Sequence, residues 1–313
     1  MTDTARIAVL VPCYNEEAAI AKVVADFRRA LPAAALYVYD NASKDQTIAR
    51  AREAGAVVRN ELRKGKGNVV RRMFADIEAD IYVLVDGDDT YEAAAAPKLV
   101  ARLVSDGVDM VVGRRVHSAK GAYRRGHVMG NRMFRALASF IFEADAGDIF
   151  SGYRAFSRRF VKSFPFTAEG FGAETEFTVH AIHLLMPRTE IDTEYSERPA
   201  GSHSKLNTFR DGLRILHTLV VLMREERPLM FFSLIFLVLA VASAALGVPV
   251  ILEFLRTGLV PKLPTAVLAT GLMLLAFLAL ASGLILDTVS RGRWELKRLA
   301  YLAIPGPQGL KLP

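Results

Sequence analysis

Hydrophobic residues occur in short runs, separated by stretches with helical spacing, through the first two thirds of the chain. The runs are rich in Val, Ile, Leu and Tyr and predict strands at residues 6–11, 36–40, 56–59, 81–86 and 108–113. The intervening patterns predict helices at residues 16–30, 46–54, 69–79 and 97–105. This alternation predicts an α/β fold with a mostly parallel sheet covered on both faces, where ligands bind at the strand ends.

Two later stretches, residues 229–252 and 265–286, contain no charged side chain. Each is long enough to cross a hydrocarbon core of about 30 Å as a helix, so they predict a transmembrane hairpin. Basic residues cluster before the first span and after the second, whereas the connection holds only Arg256 and Lys262. This asymmetry predicts that both termini are cytoplasmic.

An apolar stripe at spacings of three and four precedes the first span. Its members are Leu206, Phe209, Leu213, Leu216, Val220 and Met223. Such a stripe is usually core, but its position also fits a helix lying in the membrane interface. We therefore predict a cytoplasmic domain over residues 1–205, an amphipathic helix over 206–228, two membrane helices within 229–288, and a cytoplasmic basic tail over 289–313.

Composition and charge narrow the class of protein. The 313 residues are 52% hydrophobic, which argues against intrinsic disorder. Cys13 is the only cysteine, so an intrachain disulfide framework is excluded. The net charge of +7 favours lipid headgroups and phosphates as partners over nucleic acid.

Polar side chains follow three of the predicted strands. The segments are Pro12-Cys13-Tyr14-Asn15-Glu16-Glu17, Asp40-Asn41-Ala42-Ser43-Lys44-Asp45 and Asp86-Gly87-Asp88-Asp89. Turn and cap chemistry is one interpretation, but the carboxylates of the third segment repel one another unless a cation or donors balance them. Mg²⁺ and Mn²⁺ take such oxygen ligands, so Asp86 and Asp88 are predicted to hold a metal that bridges a diphosphate. For Asp89, a cap on the following segment is the alternative to a place at the metal.

Two basic segments suggest anionic ligands. Arg63-Lys64-Gly65-Lys66-Gly67-Asn68 precedes a helix and fits either a phosphate site or a solvated basic loop. Residues 111–142 contain no acidic residue, and their basic residues are Arg114, Arg115, Lys120, Arg124, Arg125, Arg132 and Arg135. One interpretation is a face lying against anionic lipid. We assign Arg124 and Arg125 instead to phosphate contact at an active site.

Taken in order, these segments resemble glycosyltransferase family 2, which has the GT-A nucleotide-sugar fold. Further along, Ser151-Gly152-Tyr153-Arg154 and Arg198-Pro199-Ala200-Gly201-Ser202-His203-Ser204-Lys205, followed by two spans, resemble the polyprenyl-phosphate glycosyltransferases. This subgroup includes dolichol-phosphate mannose synthase and bactoprenol glucosyltransferases. The resemblance implies a metal-dependent enzyme that transfers sugar from a UDP- or GDP-sugar to a membrane polyprenyl phosphate.

The resemblance also implies roles for individual residues. Pro12, Tyr14 and Glu16 are expected to line the nucleotide pocket, and Asp40 to contact the base. The other residues expected at the donor or metal are Lys66, Asp86 and Asp88. The further residues expected to act in the transfer are Arg124, Arg125, Arg154, Arg198 and Lys205. Arginine suits phosphate oxygens because its guanidinium is a planar fork of donors.

A polyprenyl phosphate is already an oxyanion near neutral pH, so direct displacement with inversion needs no strong protein base. Glu174 and Glu176 nevertheless stand where relatives place an acidic base. Of the two we select Glu176 as the candidate, with helix capping as the alternative. The other functions weighed are a processive polysaccharide synthase, a sugar nucleotidyltransferase and a non-enzymatic membrane scaffold. Membrane lipids and a homo-oligomer complete the partners considered.

Overall fold

The computed structural model describes residues 4–117, 147–165, 173–196, 220–221, 223–225 and 227–313. The chain divides into two compact units. The first comprises Met1–Thr208 together with Leu296–Pro313, and the second comprises Phe209–Glu295.

The first unit is built on one mixed sheet. Its strands are β1 Ile7–Cys13, β2 Ala35–Asp40, β3 Val57–Asn60, β4 Ile81–Leu84, β5 Met110–His117, β6 Arg154–Ser157 and β7 Arg188–Tyr195. They lie in the order β3-β2-β1-β4-β6-β5-β7. Only β6 pairs antiparallel with its neighbours β4 and β5, and the other pairings in the described sheet are parallel. The predicted mostly parallel α/β fold is confirmed.

Helices cover both faces of this sheet. They are α1 Ile20–Ala30, α2 Thr47–Glu53, α3 Lys66–Asp76, α4 Ala96–Ser105, α5 Arg158–Ser163 and α6 Ala173–His183, with a 3₁₀ turn at Ala93–Ala95. Successive β1 residues point to opposite faces, so Val9 packs in one core with Phe27 of α1, and Leu10 packs in the other with Met73 of α3. Burial of each such side chain contributes about 1.5–3 kcal/mol to the free energy that stabilises the fold. Burial on both faces explains why the strands appear as unbroken apolar runs in the sequence.

The second unit contains α7 Pro228–Thr257, and α8 runs Leu263–Leu302. Both helices are long and apolar enough to cross a membrane by length and composition. They extend beyond the predicted spans at residues 229–252 and 265–286. Ser243 Oγ of α7 donates to the Ala269 carbonyl of α8 at 2.7 Å, which satisfies a hydroxyl in an apolar setting.

Residues 303–313, here called the return segment, fold against the sheet of the first unit. The Ala5 amide donates to the Lys311 carbonyl at 2.8 Å, and Thr4 and Lys311 form a parallel bridge. Leu310 packs against the core, and Gln308 lies against Gly107. These residues lie in the predicted basic tail, and their sequence pattern did not indicate that they pack against the sheet.

A buried ion pair secures the end of α8 to the same unit. Asp109, directly before β5, has no exposed surface and accepts hydrogen bonds from Arg159 Nε at 2.5 Å and Ser157 Oγ at 2.7 Å. The Tyr301 hydroxyl donates to its other oxygen at 2.8 Å, and the Arg159 guanidinium lies 4.6 Å from the centre of the Tyr301 ring. Burial and the bond to Asp109 raise the pKa of Tyr301. The carboxylate is thus paired and hydrogen-bonded, as a buried charge must be.

Replacing Tyr301 with Phe should lower the free energy of unfolding of the first unit by about 1–3 kcal/mol, because a buried carboxylate loses a donor. Thermal unfolding of the full chain in detergent measures this effect. Tyr37→Phe is the matched control, since Tyr37 is a partly buried tyrosine of β2 whose hydroxyl makes no hydrogen bond to the residues that the structure describes. Equal melting temperatures for both variants would contradict the proposed contribution of Tyr301.

Candidate active site

The strands β1, β2 and β4 run parallel and end at one edge of the sheet, where their loops are joined by side chains. Asn15 Oδ1 accepts from the Lys44 amide at 2.8 Å, and the Asn15 amide donates to Ser43 Oγ at 2.8 Å. The Glu16 amide donates to Thr47 Oγ1 at 2.9 Å. Asn15 has φ of 54°, a left-handed conformation that asparagine tolerates better than most residues. The two loops are therefore held as one rigid platform.

Asn41 extends this platform to the basic loop before α3. Its Nδ2 donates to the carbonyls of Glu61 at 3.0 Å and Arg63 at 2.8 Å, while its Oδ1 accepts from the Gly65 amide at 2.7 Å. Gly65 has φ of 119°, a conformation that residues with a Cβ rarely adopt. The next residue, Lys66, begins α3 and is thereby directed by contacts from the β2 loop.

Asp40 ends β2, and its side chain gives the strongest indication that a ligand binds at this edge. Its side chain is nearly fully buried, and Oδ2 accepts from the Ser43 amide at 2.9 Å. Its Oδ1 is buried and receives no hydrogen bond from the described residues. An unsatisfied buried carboxylate oxygen is costly, so it indicates a donor supplied by a ligand. This geometry fits the base contact predicted for Asp40.

The other predicted nucleotide residues lie beside Asp40. Pro12 is buried in β1 opposite Tyr39, while Tyr14 and Glu16 are half-buried in the loop that follows. The structure therefore brings all three to the edge where Asp40 lies, and their contacts with a nucleotide remain a prediction.

Asp86 and Asp88 follow β4 but differ in their surroundings. Asp86 is half-buried and lines an open cavity of about 870 Å³. Asp88 is buried, and its Oδ1 accepts from Thr90 Oγ1 at 2.6 Å. Asp89 pairs with Lys22 Nζ of α1 at 2.7 Å, and a cap role for Asp89 stays a prediction.

The Ser151–Arg154 segment shapes the space around Asp86. A Cβ on Gly152 would lie 2.4 Å from Asp86 Oδ2, so a larger residue here would displace this carboxylate. The Gly152 amide donates to the Tyr91 hydroxyl at 2.9 Å, which fixes the loop beside it. Gly152, which belongs to the predicted motif, therefore gives the Asp86 carboxylate the space it occupies.

Arg154 requires a correction. Its side chain is fully buried, and its guanidinium donates to the carbonyls of Ser151 and Ile149 and to Thr178 Oγ1, each at 2.9 Å. It also lies over the Phe177 ring, 5.7 Å from the ring centre. Burial lowers the pKa of Arg154 to about 10. Because its donors hold the preceding loop, Arg154 is not placed to bind an acceptor phosphate.

Lys66 links the acidic end of β4 to α6. Its Nζ contacts Asp86 Oδ1 and lies 2.5 Å from Glu174 Oε1. Burial lowers the pKa of Lys66, but the two carboxylates outweigh this effect and raise it, so the ammonium stays charged. Sequence reasoning selected Glu176, which is half-buried two residues further along α6, whereas Glu174 is the one joined to Lys66.

The basic residues predicted near the acceptor are only partly described. Arg114 pairs with Asp192 at 2.5 Å, and Arg115 pairs with Asp148 at 2.7 Å, so both have anionic partners within the protein. The candidates Arg124, Arg125, Arg198 and Lys205 lie outside the described residues, as does most of the amphipathic segment. Their roles remain predictions.

Residues 8–164 match the family model described as glycosyl transferase family 2. The chain belongs to this family. It is 35% identical to glycosyltransferase AglJ of Haloferax volcanii over 306 residues, which cover 95% of this chain and 98% of that protein. It is 32% identical to a dolichyl-phosphate hexose transferase of the same organism, over 71% of this chain and 95% of that protein.

A solved structure shows the same fold. Glucosyl-3-phosphoglycerate synthase from Mycobacterium tuberculosis, in complex with Mn²⁺, UDP-glucose and phosphoglyceric acid, superimposes with a TM-score of 0.57 at 23% identity. The match covers 70% of this chain and 79% of that one. This likeness shows a GT-A-like fold, and the family match shows that the chain is a glycosyltransferase.

The donor set of this glycosyltransferase fits a divalent cation. Asp86 Oδ2 accepts no hydrogen bond from the residues that the structure describes, and the Lys66 ammonium shows that a cation is stable at this carboxylate. No group of three His, Cys, Asp or Glu side chains converges as a metal site in the described parts of the chain. Two carboxylates completed by diphosphate oxygens and water suit Mg²⁺ or Mn²⁺.

Gly152→Ala should weaken the binding of Mn²⁺ together with UDP or GDP by about tenfold, because the added methyl group displaces the Asp86 carboxylate. Isothermal titration calorimetry of the full chain measures it. Gly292→Ala is the matched control, since nothing lies within 4 Å of the Cβ it would add. An unchanged affinity in Gly152→Ala would show that ligand binding does not depend on the space that Gly152 leaves for the Asp86 carboxylate.

Asp40→Asn should weaken binding of UDP or GDP by about tenfold or more, because a charged acceptor is replaced by a neutral amide. The stability of the fold should change little, since Asp40 Oδ1 makes no hydrogen bond to the described protein. Titration calorimetry and a melting curve give the two readouts, with Asp106→Asn as the control because Asp106 follows α4 and pairs with the exposed Arg102. If the variant and the parent bind UDP with the same affinity, and likewise GDP, then Asp40 does not contact the base.

Proposed function

We propose that this glycosyltransferase moves a hexose from a UDP- or GDP-sugar to a membrane polyprenyl phosphate, giving a polyprenyl-phosphate sugar with inversion at the anomeric carbon. The observation that carries the proposal is the presence in one chain of two features: carboxylates gathered at one sheet edge, where Asp86 lines an open cavity, and two long apolar helices. A relative named dolichyl-phosphate hexose transferase, matched over 95% of its length, supports this choice of acceptor class.

The donor end of the reaction rests on residues of the first unit. Asp40 accepts a donor group of the base through its unsatisfied oxygen. Asp86 and Asp88 would hold Mg²⁺ or Mn²⁺, which when bound neutralises charge on the departing nucleoside diphosphate. Lys66 supplies a second positive charge beside the same carboxylate. These residues bind and orient the donor.

The bond changes balance without a protein base. An oxygen of the acceptor phosphate forms a bond to the anomeric carbon while the bond from that carbon to the diphosphate breaks, and the nucleoside diphosphate leaves with the electron pair. A phosphate monoester has a second pKa of about 6, so near neutral pH the attacking oxygen carries no proton to be removed. Glu176 is then not required as a base. Positioning and charge stabilisation dominate the rate.

The acceptor end depends on parts of the chain beyond the described residues. Arg124, Arg125, Arg198 and Lys205 are proposed to orient the acceptor phosphate because their cationic groups match its oxygens. The basic residues flanking the two apolar helices place the first unit and both termini on the cytoplasmic face in this proposal. The product then forms on that face of the membrane.

The decisive experiment incubates the full chain in detergent with a panel of UDP- and GDP-sugars, Mn²⁺ and undecaprenyl phosphate, and identifies the lipid product by mass. One hexose per lipid is expected. A polymer would favour a processive synthase, and free sugar or no lipid product with any donor would overturn the proposal.

Asp88→Ala should reduce the formation of this product about a hundredfold or more, because the charge on the leaving diphosphate loses stabilisation. Asp106→Ala is the matched control, since Asp106 follows α4, pairs with the exposed Arg102 at 2.7 Å and is not among the residues that line the cavity beside Asp86. Melting curves confirm that both variants are folded. An Asp88→Ala protein as active as the parent would exclude catalysis through that carboxylate.

A further inference from the structure

One carboxylate would be enough to neutralise the Lys66 ammonium, but Lys66 pairs with two. Lys66 begins α3, Asp86 follows β4, and Glu174 lies in the first turn of α6. Three separate elements therefore bring one ammonium between two carboxylates. The exposed fractions of the side chains are 16% for Lys66, 10% for Glu174 and 30% for Asp86. Glu174 is thus the inner partner and Asp86 the outer one, beside the cavity.

Glu174 has a single side-chain partner among the described residues, and that partner is Lys66. Its backbone carbonyl accepts from Thr178 Oγ1, an ordinary contact within α6. A carboxylate at this depth is stable because of the lysine and its place at the helix start. Its geometry therefore points to a role exercised through Lys66.

Asp86 cannot serve Lys66 and a divalent cation with the same oxygen. Once Asp86 is engaged with the cation of the donor, a lysine held by Asp86 alone would be left as an unpaired, largely buried charge, which is unfavourable. Glu174 removes this cost because it keeps one partner for Lys66 throughout. The ammonium then stays at the edge of the cleft, where an anionic diphosphate is the natural replacement for Asp86.

We propose that Glu174 is a positioning residue that retains Lys66 while the lysine exchanges Asp86 for the diphosphate of the donor. This inference rests on the proposed function, since it assumes a nucleotide-sugar donor. It assigns to Glu174 a task that does not involve proton transfer. It also explains why a negative charge is placed close to a site that must bind an anion.

The sign of one mutational effect tests this role. By simple charge repulsion, Glu174→Gln should strengthen the binding of an anion. If Glu174 acts through Lys66, the same change should instead weaken UDP or GDP binding, by about tenfold in the presence of Mn²⁺. In the Lys66→Met background, Glu174→Gln should leave the affinity unchanged or raise it, because there the carboxylate only repels the diphosphate.

The experiment measures the affinity of the full chain for UDP, GDP, uridine and guanosine by titration calorimetry, in the parent, both single variants and the double variant. Glu78→Gln is the matched control because it removes a Glu–Lys pair, with Lys162 at 2.7 Å, elsewhere on the unit. Nucleoside affinities should be the same in every variant. Only the diphosphate ligands should respond.

Three results with Glu174→Gln would overturn the inference. Tighter UDP and GDP binding in Glu174→Gln would show repulsion alone, and equal losses with and without Lys66 would show a purely structural role. A parallel loss of nucleoside binding would show a distorted fold.

If Glu174→Gln does not fold, Glu174→Asp replaces it, and unchanged diphosphate affinity in Lys66→Met would then refute the role. A parent that binds UDP or GDP but makes no lipid product would refute only the proposed function.

Discussion

Negative charge concentrated at one edge of a parallel sheet is the constraint around which the first unit is organised. Parallel strands deliver Asp40 and Asp86 to the same edge, and burial makes each carboxylate costly unless a positive or donor group answers it. The protein answers Asp86 with Lys66, Asp88 with Thr90 and one oxygen of Asp40 with a backbone amide. Asp40 Oδ1 and Asp86 Oδ2 receive no hydrogen bond from the residues that the structure describes, and both are the proposed ligand contacts.

The loops around this edge show how a short motif can act by geometry. Gly152 leaves the volume that the Asp86 carboxylate occupies, and Arg154 holds the loop in place with donors that never reach the cleft. Asn41 similarly joins the β2 loop to the start of α3. Arg154, which the sequence predicts at the acceptor phosphate, therefore supports the neighbouring loop instead. Such supporting contacts limit the movement of the groups beside them.

Sequence patterns predicted the elements that depend on local periodicity. The first five strands, the parallel arrangement and the carboxylates at one edge all follow from alternating apolar runs and chain order. The antiparallel β6 and the short α5 did not, because each spans few residues and is set by its neighbours. Glu174 and Glu176 stand two positions apart in one helix, and sequence alone does not show which of them reaches Lys66. The burial of Arg154 was equally hidden, since arginine usually stays exposed.

The return segment ties residues that follow both apolar helices to residues at the beginning of β1. During synthesis the amino-terminal strands emerge from the ribosome long before Lys311 exists, so the core beneath Leu310 stays uncovered until translation has passed the hairpin. The first unit therefore completes its fold only after both apolar helices have been synthesised.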